Sequence, residues 1–333
     1  MKKIQLMGIG NALVDVEFRV EDHELDSFGV QKGTMTLTDP VRQMEMIRDL
    51  GERESHRSSG GSVANSVIAF AQFGGKGAFC SLLGQDDLGS FYASEFKDLG
   101  IQLQADLVGG ETTGTCLVLI TPDSERTLNT TLAVNTNFNR AHVNEDVIQH
   151  SEWLYIEGYK LTDDSGAEAM DMAAFYAKKH DTNIAVSCSD KFIVDVFGDR
   201  LSTVLKHTDL VFCNEMEALA LSDEENIDDA MRSLRSRFKN VVITLGDKGS
   251  YVKWDGREAE VPAYTVKPID TTGAGDMFAA GFLYGVLHRY HPERAGRLAA
   301  YAAAQVVSQY GARLKASHIE VRDSVLSAAE THS

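Results

Sequence analysis

The stretch Pro268-Ile269-Asp270-Thr271-Thr272-Gly273-Ala274-Gly275-Asp276-Met277-Phe278-Ala279-Ala280-Gly281 carries more information than any other in the 333-residue chain. A run of small residues leads straight into an apolar pattern that predicts a helix over residues 275–288. The first turn of a helix leaves N–H groups without partners, and here no side-chain bulk stands in front of them. With the positive end of the helix dipole behind them, Gly273, Ala274 and Gly275 read as an anion cradle. Asp276 sits in the same turn. It is either an acid favoured by the dipole, or a group that works in a reaction, because a carboxylate beside a bound phosphate otherwise costs repulsion. In a phosphoryl transfer it would accept the proton of an attacking hydroxyl while the cradle neutralises the migrating charge.

Moving outward, apolar segments at residues 153–156, 183–187, 209–213 and 241–245 alternate with helical patterns at 167–179 and 227–238. Two more helices are expected at 292–308, stopped by Gly311, and at 319–329. This alternation predicts an α/β fold with a mostly parallel sheet covered on both faces. The first third differs: residues 14–20, 33–38 and 115–121 are β-rich and are broken by Gly, Asp and Thr rather than by long helices. They predict a small second sheet built from insertions, a lid of residues 11–40 and 103–135 on a large domain of residues 1–10, 41–102 and 136–333.

Bulk composition narrows the function classes. Hydrophobic residues make up 43% and charged residues 24%, ordinary values for a globular chain. Against 49 Asp+Glu stand 32 Lys+Arg, a net charge of −17, so nucleic acid and anionic membrane surfaces are not expected partners. Any phosphate must be caught locally. The four cysteines, Cys80, Cys116, Cys188 and Cys213, are too far apart for a metal knuckle and read as buried thiols of a cytoplasmic protein. Gln5 and Asp15 interrupt the apolar N-terminal stretch, so no secretory leader is expected. There is no G-x-x-x-x-G-K-[ST], which excludes a P-loop enzyme. Gly8-Ile9-Gly10-Asn11-Ala12-Leu13 lacks the third glycine of a dinucleotide fingerprint and runs into a β-like segment. No histidine pair has H-E-x-x-H spacing.

Asp270-Thr271-Thr272-Gly273-Ala274-Gly275-Asp276 resembles the second signature of the ribokinase family of carbohydrate and nucleoside kinases. Gly60-Gly61-Ser62-Val63-Ala64-Asn65, followed by Gly74 and Gly84, resembles the first, and the likeness spans essentially the whole chain. The resemblance implies a three-layer α/β/α sandwich with a small β-sheet lid, and a kinase using ATP and Mg²⁺. It makes Asp276 the catalytic base and Gly273, Ala274 and Gly275 the anion hole. Asp15, in Gly10-Asn11-Ala12-Leu13-Val14-Asp15, matches the family's acid that binds sugar hydroxyls; an ionised carboxylate can accept both donors of a vicinal diol. Gly60, Gly61 and Asn65 match the turn that meets the same hydroxyls. Asn214 and Glu217 resemble an Asn-x-x-Glu element that would hold hydrated Mg²⁺, although read alone they are a helix cap and its capping-box partner. Thr244, Gly246 and Gly249 fall in the family's phosphate and ribose loop, and Ala303, Val307 and Gly311 along its adenine slot. Asp270 and Thr272 sit where the family binds a monovalent cation such as K⁺.

Within the family, the adenosine kinase branch is the nearer likeness, through residues 10–15, Thr113-Gly114-Thr115-Cys116, Leu132-Ala133-Val134-Asn135 and Tyr155-Ile156-Glu157-Gly158-Tyr159. This places Asn11 and Asn135 among the substrate contacts. It also matches Arg126 to an arginine that swings toward the phosphates; the plainer reading of Arg126 is a surface turn residue paired with Asp123 and Glu125. Thr272 and Ala12 stand where that branch commonly has Asn and Pro, and both lean toward sugar kinases. Adenosine, inosine or guanosine, and a ribose- or fructose-type sugar therefore stay open as acceptors. A non-catalytic binder on this fold is the alternative of another class, and a homodimer through the lid stands beside a monomer.

Overall fold

The computed structural model describes residues 2–123 and 125–327. Its strands are β1 (Ile4–Ile9), β2 (Leu13–Arg19), β3 (Met35–Leu37), β4 (His56–Gly60), β5 (Gly77–Gly84), β6 (Gln102–Val108), β7 (Gly114–Ile120), β8 (Arg126–Thr131), β9 (Ser151–Glu157), β10 (Asn183–Ser187), β11 (Leu210–Asn214), β12 (Asn240–Thr244), β13 (Ser250–Trp254) and β14 (Arg257–Val261). They form a nine-stranded sheet in the order β14-β13-β12-β11-β10-β9-β1-β5-β6 and a five-stranded sheet in the order β3-β8-β7-β2-β4.

The large sheet is parallel except for β13 and β14, an antiparallel pair at one edge. Its central strands are apolar throughout because helices cover both faces. One face packs against helices Ser62–Gln72, Ala274–Leu287 and Pro292–Val307. The other packs against helices Asp164–Lys179, Lys191–Leu205, Glu215–Ser222 and Ile227–Arg237. The α/β/α sandwich expected from the alternation is therefore present. The chain runs outward from β1 in both directions, to β5 and β6 on one side and to β9 through β12 on the other. Such a reversal opens a crevice beyond the carboxyl ends of the strands, and here those ends are Gly10–Asn11, Glu157, Ser187, Asn214 and Thr244.

The small sheet stands over that crevice. Alternation along β2 sends Val14, Val16 and Phe18 into a core with Leu25, Phe28, Met46 and Leu50 of two covering helices, and leaves Leu13 and Asp15 facing the crevice. The expected boundaries are crossed in two places. Gln102–Val108 pairs in parallel with β5 as the edge of the large sheet, although most of it was assigned to the lid. His56–Gly60 pairs antiparallel with β2 in the small sheet, although it was assigned to the large domain. A half-exposed edge strand and a polar strand, His-Arg-Ser-Ser-Gly, lack the apolar pattern that would have placed them. The last helix spans His318–Ser327; its expected end at residue 329 lies outside the described residues.

Candidate active site

The helix Ala274–Leu287 begins where expected, with Gly273 as its cap at φ 75°. A Cβ there would lie 2.4 Å from the Ala312 Cβ, so this left-handed position is restricted to glycine by both strain and space. Thr271 O accepts from Ala274 N and Gly273 O from Met277 N, while the N–H groups of Gly275 and Asp276 have no backbone partner among the described residues. A Cβ on Gly275 would meet nothing within 4 Å: the space above the helix start is open, as a phosphoryl cradle requires.

The two signature stretches meet at Asp276. Ser62 Oγ donates to Asp276 Oδ1 at 2.6 Å and Asn65 Nδ2 to Asp276 Oδ2 at 3.0 Å, while Ser66 Oγ donates to the Asp276 carbonyl at 3.0 Å. Burial pushes the Asp276 carboxyl up to about 6, and the bonds from Ser62 and Asn65 oppose the rise. Asn65, expected at the sugar, thus spends its amide on the acid. Asp15 faces the same cleft with no hydrogen-bond partner of its own among the described residues; burial raises it to about 7 against the pull of Arg126. Gly60 lies against it, since a Cβ there would come within 3.0 Å of Asp15 Oδ1, and Gly61, at φ 104°, lies on the Asn11 carbonyl.

The cleft between the sheets measures about 390 Å³. It gathers Asp15, Gly61, Asn65, Arg126, Asn214, Glu217, Thr244, Thr272, Gly273, Gly275 and Asp276 from the expected set. Asn214 and Glu217 form a complete capping box: Asn214 Oδ1 accepts from Glu217 N at 2.9 Å, and Glu217 accepts from Asn214 N and Nδ2 at 3.0 and 2.7 Å. Burial raises the Glu217 carboxyl to about 7, opposed by the Asn214 N–H. One buried carboxylate at the cleft wall with an amide beside it fits a cation that keeps its own water shell.

Other expected residues lie off the cleft. Asn135 is buried and fully engaged, accepting from Ala12 N and Ser81 Oγ and donating to Ala12 O and Leu132 O, so it ties β2 down. Asn11 donates through N and Nδ2 to Glu157 Oε1. Gly246 and Gly249 bound a short turn after β12 with φ 62° and 98°. Val307 O accepts from Ile269 N and Asp270 N, one turn beyond Ala303 in the same helix. Gly311 N donates to Asp270 Oδ2 at 2.9 Å. Asp270 Oδ1 takes Thr272 N, and Arg126 Nη1 lies 3.2 Å from Asp270 Oδ2, so a guanidinium stands where a monovalent cation was expected. Arg126 is buried rather than a surface turn residue. It pairs with Glu17 at 2.8 Å, and its Nε and Nη1 make no hydrogen bond among the described residues.

Sequence reasoning missed Ser62, hidden inside a signature read for its glycines, and Glu157. Glu157 is 1% exposed at the end of β9; it takes Asn11 on Oε1 and Val63 N on Oε2, at 3.0 Å. Burial raises its carboxyl and lowers the amine of its neighbour Lys160. Four carboxylates lie in or under this cleft, at a helix start able to hold an anion. The architecture is that of a two-sheet α/β protein with a carboxylate-lined cleft at a helix start.

The family model described as pfkB family carbohydrate kinase matches residues 42–319, and the chain belongs to that family. It is therefore a phosphotransferase acting on a hydroxyl group. The chain is 31% identical to the adenosine kinase of Sinorhizobium meliloti, with a TM-score of 0.86 over 98% of this chain and 100% of that one. It is 30% identical to a probable sugar kinase of Rhizobium etli, with a TM-score of 0.87 over 97% and 99%. Ribokinase of Haemophilus influenzae is 29% identical over 263 residues, 76% of this chain and 82% of that protein. No helix among the described residues is long and apolar enough to cross a membrane.

Proposed function

We propose that this chain transfers the γ-phosphoryl group of Mg·ATP to the primary, 5′-type hydroxyl of a nucleoside. The observation that carries the reading is the Asp276 carboxylate, held between Ser62 and Asn65 at the mouth of an open helix start, with Asp15 facing the same cleft. Asp15 accepts the two hydroxyls of the ribose, and Gly60 and Gly61 let the sugar come close to the backbone. The primary hydroxyl then points at Asp276, which takes its proton as the bond from acceptor oxygen to γ-phosphorus forms and the bond to the β-bridging oxygen breaks. The N–H groups of Gly275 and Asp276 stabilise the charge spread over the equatorial oxygens. Asn214 and Glu217 would hold the water shell of a Mg²⁺ ion, which would supply positive charge against the nucleotide's phosphates. Arg126 has unspent donors and can trade Asp270 for a phosphate oxygen.

A nucleoside is favoured by the branch-like segments around Asp15 and Glu157; the overlap alone does not separate it from a sugar, since the Rhizobium etli probable sugar kinase overlaps as fully as the Sinorhizobium adenosine kinase. The test is ADP release from Mg·ATP across adenosine, inosine, guanosine, ribose and fructose. The reading predicts that kcat/KM for the preferred nucleoside exceeds that for either free sugar by at least about 100-fold. Turnover of a free sugar at equal or better efficiency overturns the nucleoside assignment.

A further inference from the structure

Residues 311–313, in the loop after the helix Pro292–Val307, touch the second signature stretch and then the residue that leads into the first. Gly311 N donates to Asp270 Oδ2 at 2.9 Å, and that same oxygen faces Arg126 of the small sheet. Ala312 fills the space beside the Gly273 cap, which is why no Cβ fits there. Arg313 reaches the residue before the other signature: Nη2 donates to the Ser59 carbonyl at 2.5 Å and Nη1 pairs with Glu95 of the helix Asp87–Asp98. Glu95 Oε2 in turn accepts from Ser59 N at 2.9 Å and Ser59 Oγ at 2.6 Å. Ser59 is 1% exposed, and the ion pair holds its N–H, hydroxyl and carbonyl together. The next residue, Gly60, lies against Asp15 and is held from the other side by Tyr92 Oη, which donates to its carbonyl at 3.2 Å.

We infer that Gly311-Ala312-Arg313 is a clasp, in which Arg313 is a positioning residue that couples occupancy of the phosphate cradle to the shape of the acceptor turn. A shift of the Gly273 cap or of Asp270 when an anion enters must carry Ala312 and Gly311 with it. Through Arg313 it then moves Ser59 and Gly60 against Asp15. The ion pair is three-quarters buried, so breaking one partner leaves the other charge uncompensated and frees the turn. Coupling of this kind is reciprocal: nucleotide tightens acceptor binding by the factor by which acceptor tightens nucleotide.

The inference rests on the proposed kinase reading, and one experiment separates the two. Acceptor affinity is measured calorimetrically with the nucleoside preferred in the ADP-release screen, with and without Mg·AMP-PNP, in wild type, Arg313→Met, Arg313→Lys and Glu95→Gln. Wild type is expected to bind acceptor at least about fivefold tighter with nucleotide present, within the usual range for linked sites. Arg313→Met and Glu95→Gln should cut that factor below about twofold, raising KM for the acceptor while kcat at saturation changes less, and Arg313→Lys should recover part of it. Because Glu95→Gln breaks the same pair from the other side, misfolding of one variant leaves the test standing. An undiminished factor in a folded variant, or no coupling in wild type, overturns the clasp while leaving the kinase reading intact. Absence of turnover with every nucleoside and sugar would strike the kinase reading instead.

Discussion

On the proposed reading, the acceptor end of the cleft would work through side chains held in costly states and the nucleotide end through backbone. At the acceptor end Asp15, Asp276 and Glu157 are carboxylates whose protonation burial favours; Ser62 and Asn65 are spent on orienting Asp276, and Asn11 and Val63 on orienting Glu157. At the nucleotide end the working features are the bare N–H groups at Gly275 and Asp276, the tight turn from Gly246 to Gly249 and a capping box that any helix could carry. Recognition of one particular alcohol needs charges in fixed places. A polyphosphate needs only donors and a metal ion.

Three substitutions set the two ends against each other. The largest effect is expected for Asp276→Asn, which keeps the shape but removes the base: kcat should fall by about 10³-fold with acceptor binding largely kept, as checked by single-turnover kinetics and calorimetry. Asp15→Asn should raise KM for the acceptor by about 10- to 100-fold, the worth of charge-assisted hydrogen bonds, and leave KM for ATP nearly unchanged. Gly275→Val should do the reverse, raising KM for ATP about tenfold by filling the open cradle, about 1.4 kcal/mol of lost binding. It should fold normally, because that position has neither a positive φ nor a neighbour in the way. If Gly275→Val changed only the acceptor KM, the division of labour would be wrong.

The smallest effect is on stability. Asp15 has a folded value of about 7, above the ordinary carboxylate range. The folded state therefore holds that proton more tightly than the unfolded chain, and the associated stability is present below about pH 4 and lost as pH rises through 7. Asp15→Asn removes the loss, so the variant should melt above wild type at pH 8 and lose that advantage toward pH 4.

How much of this could be read from the chain follows the same division. The helix start was legible because Gly273-Ala274-Gly275-Asp276 is a local event: small residues, then an apolar helix. The parallel strands β9 to β12 were legible because burial on both faces writes an apolar run. The strand His56–Gly60 was not, because its residues are polar and its place depends on pairing with β2. The roles of Ser62 and Asn65 depend on a contact across more than 200 residues of chain, for which spacing holds no signal. Arg126 has an acid close by in sequence, Glu125, yet its partners are Glu17 and Asp270. Asn135 is expected as a contact from its place in the branch-like segment Leu132-Ala133-Val134-Asn135; in the structure its polarity is used up inside the protein.

The dependence of kcat on pH in wild type and Ser62→Ala tests the role of Asp276 most directly. With a carboxyl raised to about 6 by burial and pulled down by the Ser62 hydroxyl, the wild type should show a single acid limb, kcat rising through about pH 6. Loss of the hydroxyl should move that limb to higher pH by about one to two units, the worth of one hydrogen bond to a charged group. A kcat flat from pH 5 to 8 in wild type, or a limb unmoved in Ser62→Ala, would contradict a base held at that carboxylate.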